Sequence, residues 1–404
     1  MTAEILIMNR NAIAMAADSA VTVGSLKTYT GVNKLFMLSN TPPMGIMIYG
    51  SAEFCHMPFE TLIKEYRTKN ENEGYTKVNT IMLNFLKFIE KYAKTKSDPK
   101  AFFDMQLEYF ELGVNKELDE IKDDNILKLL ENLTDDVKDD DLQIISQTKD
   151  FENKEEIFEK LALKHFLKNK NKHAKIKNLL KKLFFKQLFM DSTGIVIAGF
   201  NEEDIYPSFS SYKVLTILDG KLIHLQLEED ENEVVPRIIP FAQRDVVDAF
   251  LTGFNLEIAE DLKEFFGKTI AEYPNKILNP LKQNKKLKKG NLKIIKNEIK
   301  NIEKENEGIL EKFSELILKS VDESYFPILM SIGALPKEEL ANMCESLIHI
   351  TSLKSKVSYG LDSVGGDVDV AIISKGDGFI WAKRKHYFNS DLNIQFFQRK
   401  NKKI

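Results

Sequence analysis

Residues 1–36 read MTAEILIMNRNAIAMAADSAVTVGSLKTYTGVNKLF, and the rest of the chain can be built outward from them. Thr2 is small enough that the initiator methionine is normally trimmed, which would place a hydroxyl and a free α-amine on one residue. AEILIMN reads as a short strand, Arg10 and Asn11 as a turn, and AIAMAA as a second strand ending at Asp18. A hairpin returns the end of its second strand to the start of its first, so Thr2 and Asp18 should be neighbours. The chain then passes through a Thr-rich loop, Thr22 to Gly31, and re-enters as an apolar strand carrying Lys34. Asp18 follows Thr2 by sixteen positions, and Lys34 follows Asp18 by sixteen.

Taken singly, these residues are ordinary: a Thr at position 2, a strand-ending Asp, a surface Lys. Together they have a chemical use. An alcohol is a weak nucleophile at neutral pH, and the α-amine of an N-terminal Thr can serve as its base. Such an amine titrates at about 7.7–8.0, near working pH. An ammonium at Lys34 would favour the neutral amine and the developing alkoxide, and Asp18 would pair that ammonium.

The surrounding motifs sharpen this reading. Ala16, Ala17, Asp18 and Ser19 form A-A-D-S with Thr22 three positions on, Lys34 precedes the apolar pair Leu35 and Phe36, and Gly45 to Gly50 spell G-x-x-x-x-G. With these features the stretch resembles the start of a proteasome β subunit, of the N-terminal-nucleophile hydrolase superfamily. The resemblance implies an α+β fold, a four-layer α-β-β-α sandwich. It also implies that Thr2, Asp18 and Lys34 are catalytic and that the Gly50 N–H stabilises the oxyanion. Thr22 would align an extended substrate, and Val32, Phe36, Ile48 and Ala52 would line an apolar specificity pocket. Farther on, GIVIAGFNEEDIYPSFSSYKV (194–214) resembles the middle hairpin of the same subunits. Asp362 and Ser363, ahead of Gly365 and Gly366, would orient the N-terminal residue, although they sit a few positions from the usual spacing. One departure stands out: the Ser that usually precedes the helix expected near Asp245 is missing. Phe241, Ala242, Gln243 and Arg244 occupy those positions, and of these Gln243 could supply a polar contact.

At 404 residues the chain has room for two or three domains, and 43% hydrophobic with 29% charged residues is ordinary for a globular protein. The formal net charge of −4 points to no global electrostatic partner. Cys55 and Cys344 provide neither a disulfide framework nor metal spacing, and Cys55 reads as a buried thiol in a helix. The six histidines are scattered without ligand spacing, so no metal and no cofactor are expected. No apolar run has the length of a membrane span and no signal peptide opens the chain, so a cytoplasmic location is expected.

The core is expected in three pieces, 1–96, 191–254 and 333–404. SAEFCHMPFETLIKEYRTKN (51–70) and the stretch to Lys94 read as two helices broken at Asn70 to Gly74. Residues 97–190 read as a helical insertion, acidic in ELDEIKDDN (117–125) and LTDDVKDDD (133–141) and basic in 164–187. Phe166, Phe184 and Phe185 fall at helical spacing among Leu and Ile, which favours core packing over a nucleic-acid surface. The piece around Arg237 reads as a loop. Residues 255–332 form a second helical, partly heptad-like insertion with a hinge at Gly290, and Pro336 opens the last framework helix.

The function expected is hydrolysis of peptide or amide bonds by an N-terminal threonine, with a peptide or protein as substrate and self-assembly into a ring or dimer. The alternative is a catalytically inactive proteasome-like assembly or sensor protein that binds protein partners through the helical insertions. Neither a membrane nor a nucleic acid is expected as partner.

Overall fold

The apolar run that opens the chain forms β1 (Ala3–Met8) and β2 (Ile13–Ala17), paired antiparallel from Glu4↔Ala17 to Met8↔Ile13 in the computed structural model. The structure describes residues 2–23, 27–70, 77–119, 123–165, 172–230, 236–283, 289–358, 364–389, 391–395 and 398. Asn9 makes the turn, its Oδ1 accepting from the N–H groups of Asn11 at 2.9 Å and Ala12 at 3.2 Å. Every residue of both strands is buried. Side chains alternate across the sheet, yet both faces are covered, so the sequence shows a continuous apolar run instead of an apolar–polar alternation.

A small hairpin, β3 (Val21–Val23) and β4 (Lys27–Tyr29), precedes β5 (Leu35–Asn40) and β6 (Pro43–Gly50). Residues 51–58, read above as the start of a helix, instead make a tight excursion, β7 (Glu53–Phe54) and β8 (Met57–Pro58). Cys55 and His56 form its turn with φ of 49° and 61°, a left-handed conformation incompatible with helix. Cys55 is buried there, and burial pushes its thiol up to about 12. The helices α1 (Phe59–Lys69) and α2 (Val78–Lys96) follow.

Six helices come next: α3 (Pro99–Asp119), α4 (Asp123–Leu133), α5 (Asp139–Ser146), α6 (Lys149–Glu152), α7 (Glu155–His165) and α8 (His173–Asp191). Phe184 is their hub, with ring centroids 5.2 to 6.1 Å from Phe103, Phe110, Phe151 and Phe158. The basic half of this segment faces the acidic half: Lys182 pairs with Asp139 and Lys186 with Asp136, both at 2.8 Å, and Lys175 pairs with Glu131. Phe185 is buried, whereas Phe166 lies outside the described residues.

The strands β9 (Thr193–Gly199), β10 (Ser208–Leu218), β11 (Lys221–Asp230) and β12 (Arg237–Ala242) lead to α9 (Asp245–Thr252), α10 (Leu256–Gln283), α11 (Lys289–Ala334) and α12 (Lys337–Val357). The chain closes with β13 (Asp369–Ser374) and β14 (Gly378–Lys383). Two readings need correction. The piece around Arg237 is a strand, its Pro240 opposite Ile5 and tolerated because β12 is the edge of its sheet. Gly290 lies in the first turn of α11 and not between helices, while residues 284–288 lie outside the described residues.

Two five-stranded antiparallel sheets result, ordered β12-β1-β2-β13-β14 and β11-β10-β9-β6-β5. They meet through Leu6, Met15 and Ile373 from the first and Met47, Val196 and Phe209 from the second. On the outer face of the first sheet, Ile5 and Ala14 pack with Val247 of α9, Ile332 of α11 and Leu347 of α12. On that of the second, Ile195 and Val214 pack with α1 and α2, while Leu215, Leu218 and Ile223 receive the α3–α8 group. The architecture is therefore mixed α+β with antiparallel sheets. Asn9 also binds the end of α11, donating from Nδ2 to the carbonyls of Ile332 and Leu335, each at 3.0 Å.

Candidate active site

Thr2 precedes β1, Asp18 follows β2, and pairing of those strands places them side by side: Asp18 N–H donates to Ala3 O at 3.1 Å. Lys34, immediately before β5, reaches in from the other sheet. Its Nζ donates to Asp18 Oδ1 at 2.6 Å and to Thr2 Oγ1 at 3.0 Å. All three are buried, with exposures of 5% for Thr2, 0% for Asp18 and 4% for Lys34. An ammonium so far from water is tolerable only with a close counter-charge, and Asp18 supplies it.

Asp18 is itself fixed by the backbone. Oδ1 also accepts from Ala3 N–H at 3.2 Å, and Oδ2 accepts from Ala20 N–H at 3.3 Å and Gly365 N–H at 2.9 Å. Three backbone donors plus Lys34 leave the carboxylate one orientation. The loop ahead of β13 is drawn in further by Ser19 N–H, which donates to Gly365 O at 3.2 Å. Gly366 lies against Ser19 with φ of +77°, and a Cβ there would come within 2.3 Å of Ser19 Oγ, so the close approach requires glycine.

Gly50 ends β6 opposite Thr193, exposed and with φ of +81°. A Cβ at this position would lie 2.3 Å from Ser192 O. Of the residues expected to bind substrate, Val32 and Ala52 are partly exposed, and Val32 N–H donates to Ser19 O at 3.1 Å. Phe36 and Ile48 are buried in the cluster shared with α1 and α2. Thr22 stands in β3 opposite Thr28. Asp362 and Ser363 lie outside the described residues.

Of the residues ahead of α9, Gln243 lies beside Thr2. Its N–H donates to Thr2 O at 3.2 Å, and its side-chain Oε1 is buried with no partner among the described residues.

Sequence reading missed Glu4. Two residues after Thr2, it faces the opposing sheet and is 1% exposed, and neither carboxyl oxygen has a hydrogen-bond partner among the described residues. Burial is the largest influence and pushes its carboxyl well above the ordinary 4.5; Lys34 pulls it down and Asp18 pushes it up. Tyr49, whose ring stacks on Phe241 at 5.8 Å, is raised by burial and then by Glu4. An unsatisfied buried polar group costs roughly 1–3 kcal/mol, so Glu4 is a conspicuous expense within the fold. The signal was present: one carboxylate in an otherwise apolar strand, AEILIM.

A second charged group neighbours the first. Asp369, opposite Ala17 and fully buried, accepts from Arg384 Nη1 at 2.7 Å and from Lys385 N–H at 2.8 Å, and pairs with the Lys385 ammonium. Burial lowers Lys385, and Asp369 opposes that shift. Beside this group runs a groove of about 1850 Å³. Gly31, Asn33, Asp367, Lys64 and Arg67 of α1, and Arg384 to Phe388 are among the residues that line it. Among the described residues no cluster of three or more His, Cys, Asp or Glu is arranged to hold a metal, and no helix is long and apolar enough to cross a membrane.

No protein-family model matches the chain, and no curated protein matches it. Among solved structures it is similar to Anbu (ancestral beta-subunit) from Yersinia bercovieri, with 8% identity and a TM-score of 0.32 over 99% of this chain and 95% of that one. That likeness is too distant to carry an argument about fold or function.

Proposed function

We propose that the chain is an N-terminal threonine hydrolase that cleaves peptide or amide bonds, with a four-layer α-β-β-α core of the N-terminal-nucleophile type. In this reading residues 97–190 and 255–332 are helical insertions. The observation that carries the proposal is the contact of one ammonium, Lys34 Nζ, with both Thr2 Oγ1 and Asp18 Oδ1 in a buried site.

Each atom then has a task. Once Thr2 is N-terminal, its α-amine takes the proton from Oγ1, and Oγ1 attacks the substrate carbonyl. Lys34 stabilises the developing alkoxide, and Asp18 keeps Lys34 aimed. A donor at Gly50 receives the oxyanion, and the protonated amine returns its proton to the leaving amine. Water then releases the acyl group from Oγ1.

The test is covalent. An N-terminal-Thr-directed epoxyketone should add one probe mass to a chain whose intact mass shows Met1 removed, and the label should map to Thr2. Thr2→Ala and Lys34→Ala should abolish it. Labelling that survives Thr2→Ala, or a processed chain that never labels, would sink the reading.

A further inference from the structure

Glu4 has no part in the mechanism above, yet it is the most isolated polar group in the site. Its backbone position pairs with Ala17 on one side and Phe241 on the other, so its side chain shares the inter-sheet face with Thr2 two residues earlier. The titratable or charged groups acting on it are Lys34, Asp18 and Tyr49. Lys34 is already committed to Asp18 and Thr2 Oγ1. Gln243, whose N–H donates to Thr2 O at 3.2 Å, carries in Oε1 a second buried acceptor with no donor among the described residues. Two neighbours of Thr2 therefore carry acceptors without donors among the described residues, while the Thr2 nitrogen, as long as Met1 is attached, carries a single amide N–H.

Cutting the Met1–Thr2 bond changes that inventory. Water adds across the amide: Met1 leaves with a carboxylate, and the Thr2 nitrogen becomes an ammonium with three N–H donors. We propose that Glu4 is a positioning residue built to receive the new α-ammonium of Thr2, with Gln243 Oε1 as its second acceptor, in place of the Ser that this chain lacks. The inference rests on Thr2 being the N-terminal nucleophile. It adds that the site is electrically complete only in the processed chain, and that Glu4 holds the amine beside Oγ1 and sets its affinity for the proton.

The test does not use hydrolysis. Chains with and without Met1 are prepared by expression with and without inhibition of methionine removal, and each is verified by intact mass. The apparent pKa of the Thr2 amine is read from the pH dependence of its reductive methylation, located by peptide mapping. In the wild type the Glu4 carboxylate should raise the amine pKa, so that near pH 7 methylation is about tenfold slower than in Glu4→Gln, which keeps shape but cannot ionise; this is one unit of pKa. Glu4→Asp should fall between them. Removal of Met1 should also raise the Tm of the wild type, a comparison that needs no variant to fold, and should do so less in Glu4→Gln. Equal methylation profiles in wild type and Glu4→Gln, or no gain in Tm on loss of Met1, would overturn the proposal. A shifted amine pKa in a protein that never reacts with the epoxyketone would support the role of Glu4 while removing the hydrolase reading alone.

Discussion

Replacing Asp18 by Asn changes one oxygen to an NH2 group and leaves the shape of the side chain intact, so its effect isolates charge and hydrogen-bond polarity. If the amide oxygen faces Ala20 and Gly365, the NH2 group confronts the Lys34 ammonium and the Ala3 N–H, two donors that Oδ1 now satisfies at 2.6 and 3.2 Å. Removing one member of a buried ion pair costs about 3–5 kcal/mol, and an orphaned backbone N–H adds about 1 kcal/mol or more. Asp18→Asn should therefore cost about 4 kcal/mol or more. Lys34→Met should cost less, about 2 kcal/mol, because Asp18 keeps three backbone donors when the ammonium is gone. The double variant should be more stable than the sum of the singles by about 2–3 kcal/mol, since Met no longer needs a counter-charge. Equilibrium urea unfolding of the four proteins in the same processing state measures the cycle. Additive singles, or a Lys34→Met loss larger than that of Asp18→Asn, would refute the ion-pair account.

Glu4 gives a pH dependence with a definite sign. Its folded pKa lies above the unfolded value of 4.5, so its contribution to stability is fully present below about pH 4.5 and is lost as pH rises through the folded value. Thermal melts of the Met1-bearing chain should show this decline, and Glu4→Gln should flatten it. Gly50→Ala should lower stability by about 1–3 kcal/mol, because its φ of +81° and the 2.3 Å approach to Ser192 O both oppose a Cβ; unfolding by denaturant checks this. Because the lysines of α8 are paired with the acidic helices, titration with labelled DNA or RNA should show no salt-sensitive binding to the α3–α8 group. Affinity that falls steeply between 50 and 200 mM salt would contradict it.

The juxtaposition of Thr2, Asp18 and Lys34 was legible because it depends on local rules: two apolar runs, a turn at Asn9 to Asn11, and a strand that returns. Other features depended on contacts that sequence does not announce. Residues 51–58 carry apolar positions at helical intervals, and nothing in Cys55 or His56 marks a left-handed turn. Arg237 to Ala242 contains a proline that argues against a strand unless the strand is known to lie at an edge. The lysines of 164–187 looked like a free basic face because their acidic partners lie tens of positions upstream, as with Lys186 and Asp136. Phe36 and Ile48 were expected to line a specificity pocket, and whether they do turns on how β5 and β6 meet α1 and α2. Glu4 is obscured for the opposite reason: the apolar pattern of AEILIM is strong enough to define the strand whichever residue stands at that one position.

The grip of Asp18 on Gly365 bears on the order of events during synthesis. The two residues are 347 positions apart, and β1 and β2 find their other neighbours only in β12 and β13. At a ribosomal pace of about 5–20 residues per second, ~20–70 s separate the emergence of Thr2 from that of Gly365. On the proposed reading, methionine removal acts on the first residues to leave the ribosome, and the threonine amine would be free long before Asp18 has the backbone that aims it. A nucleophile at Thr2 would then be carried by the nascent chain in an unassembled state, and its chemistry would wait on the last tenth of the polypeptide.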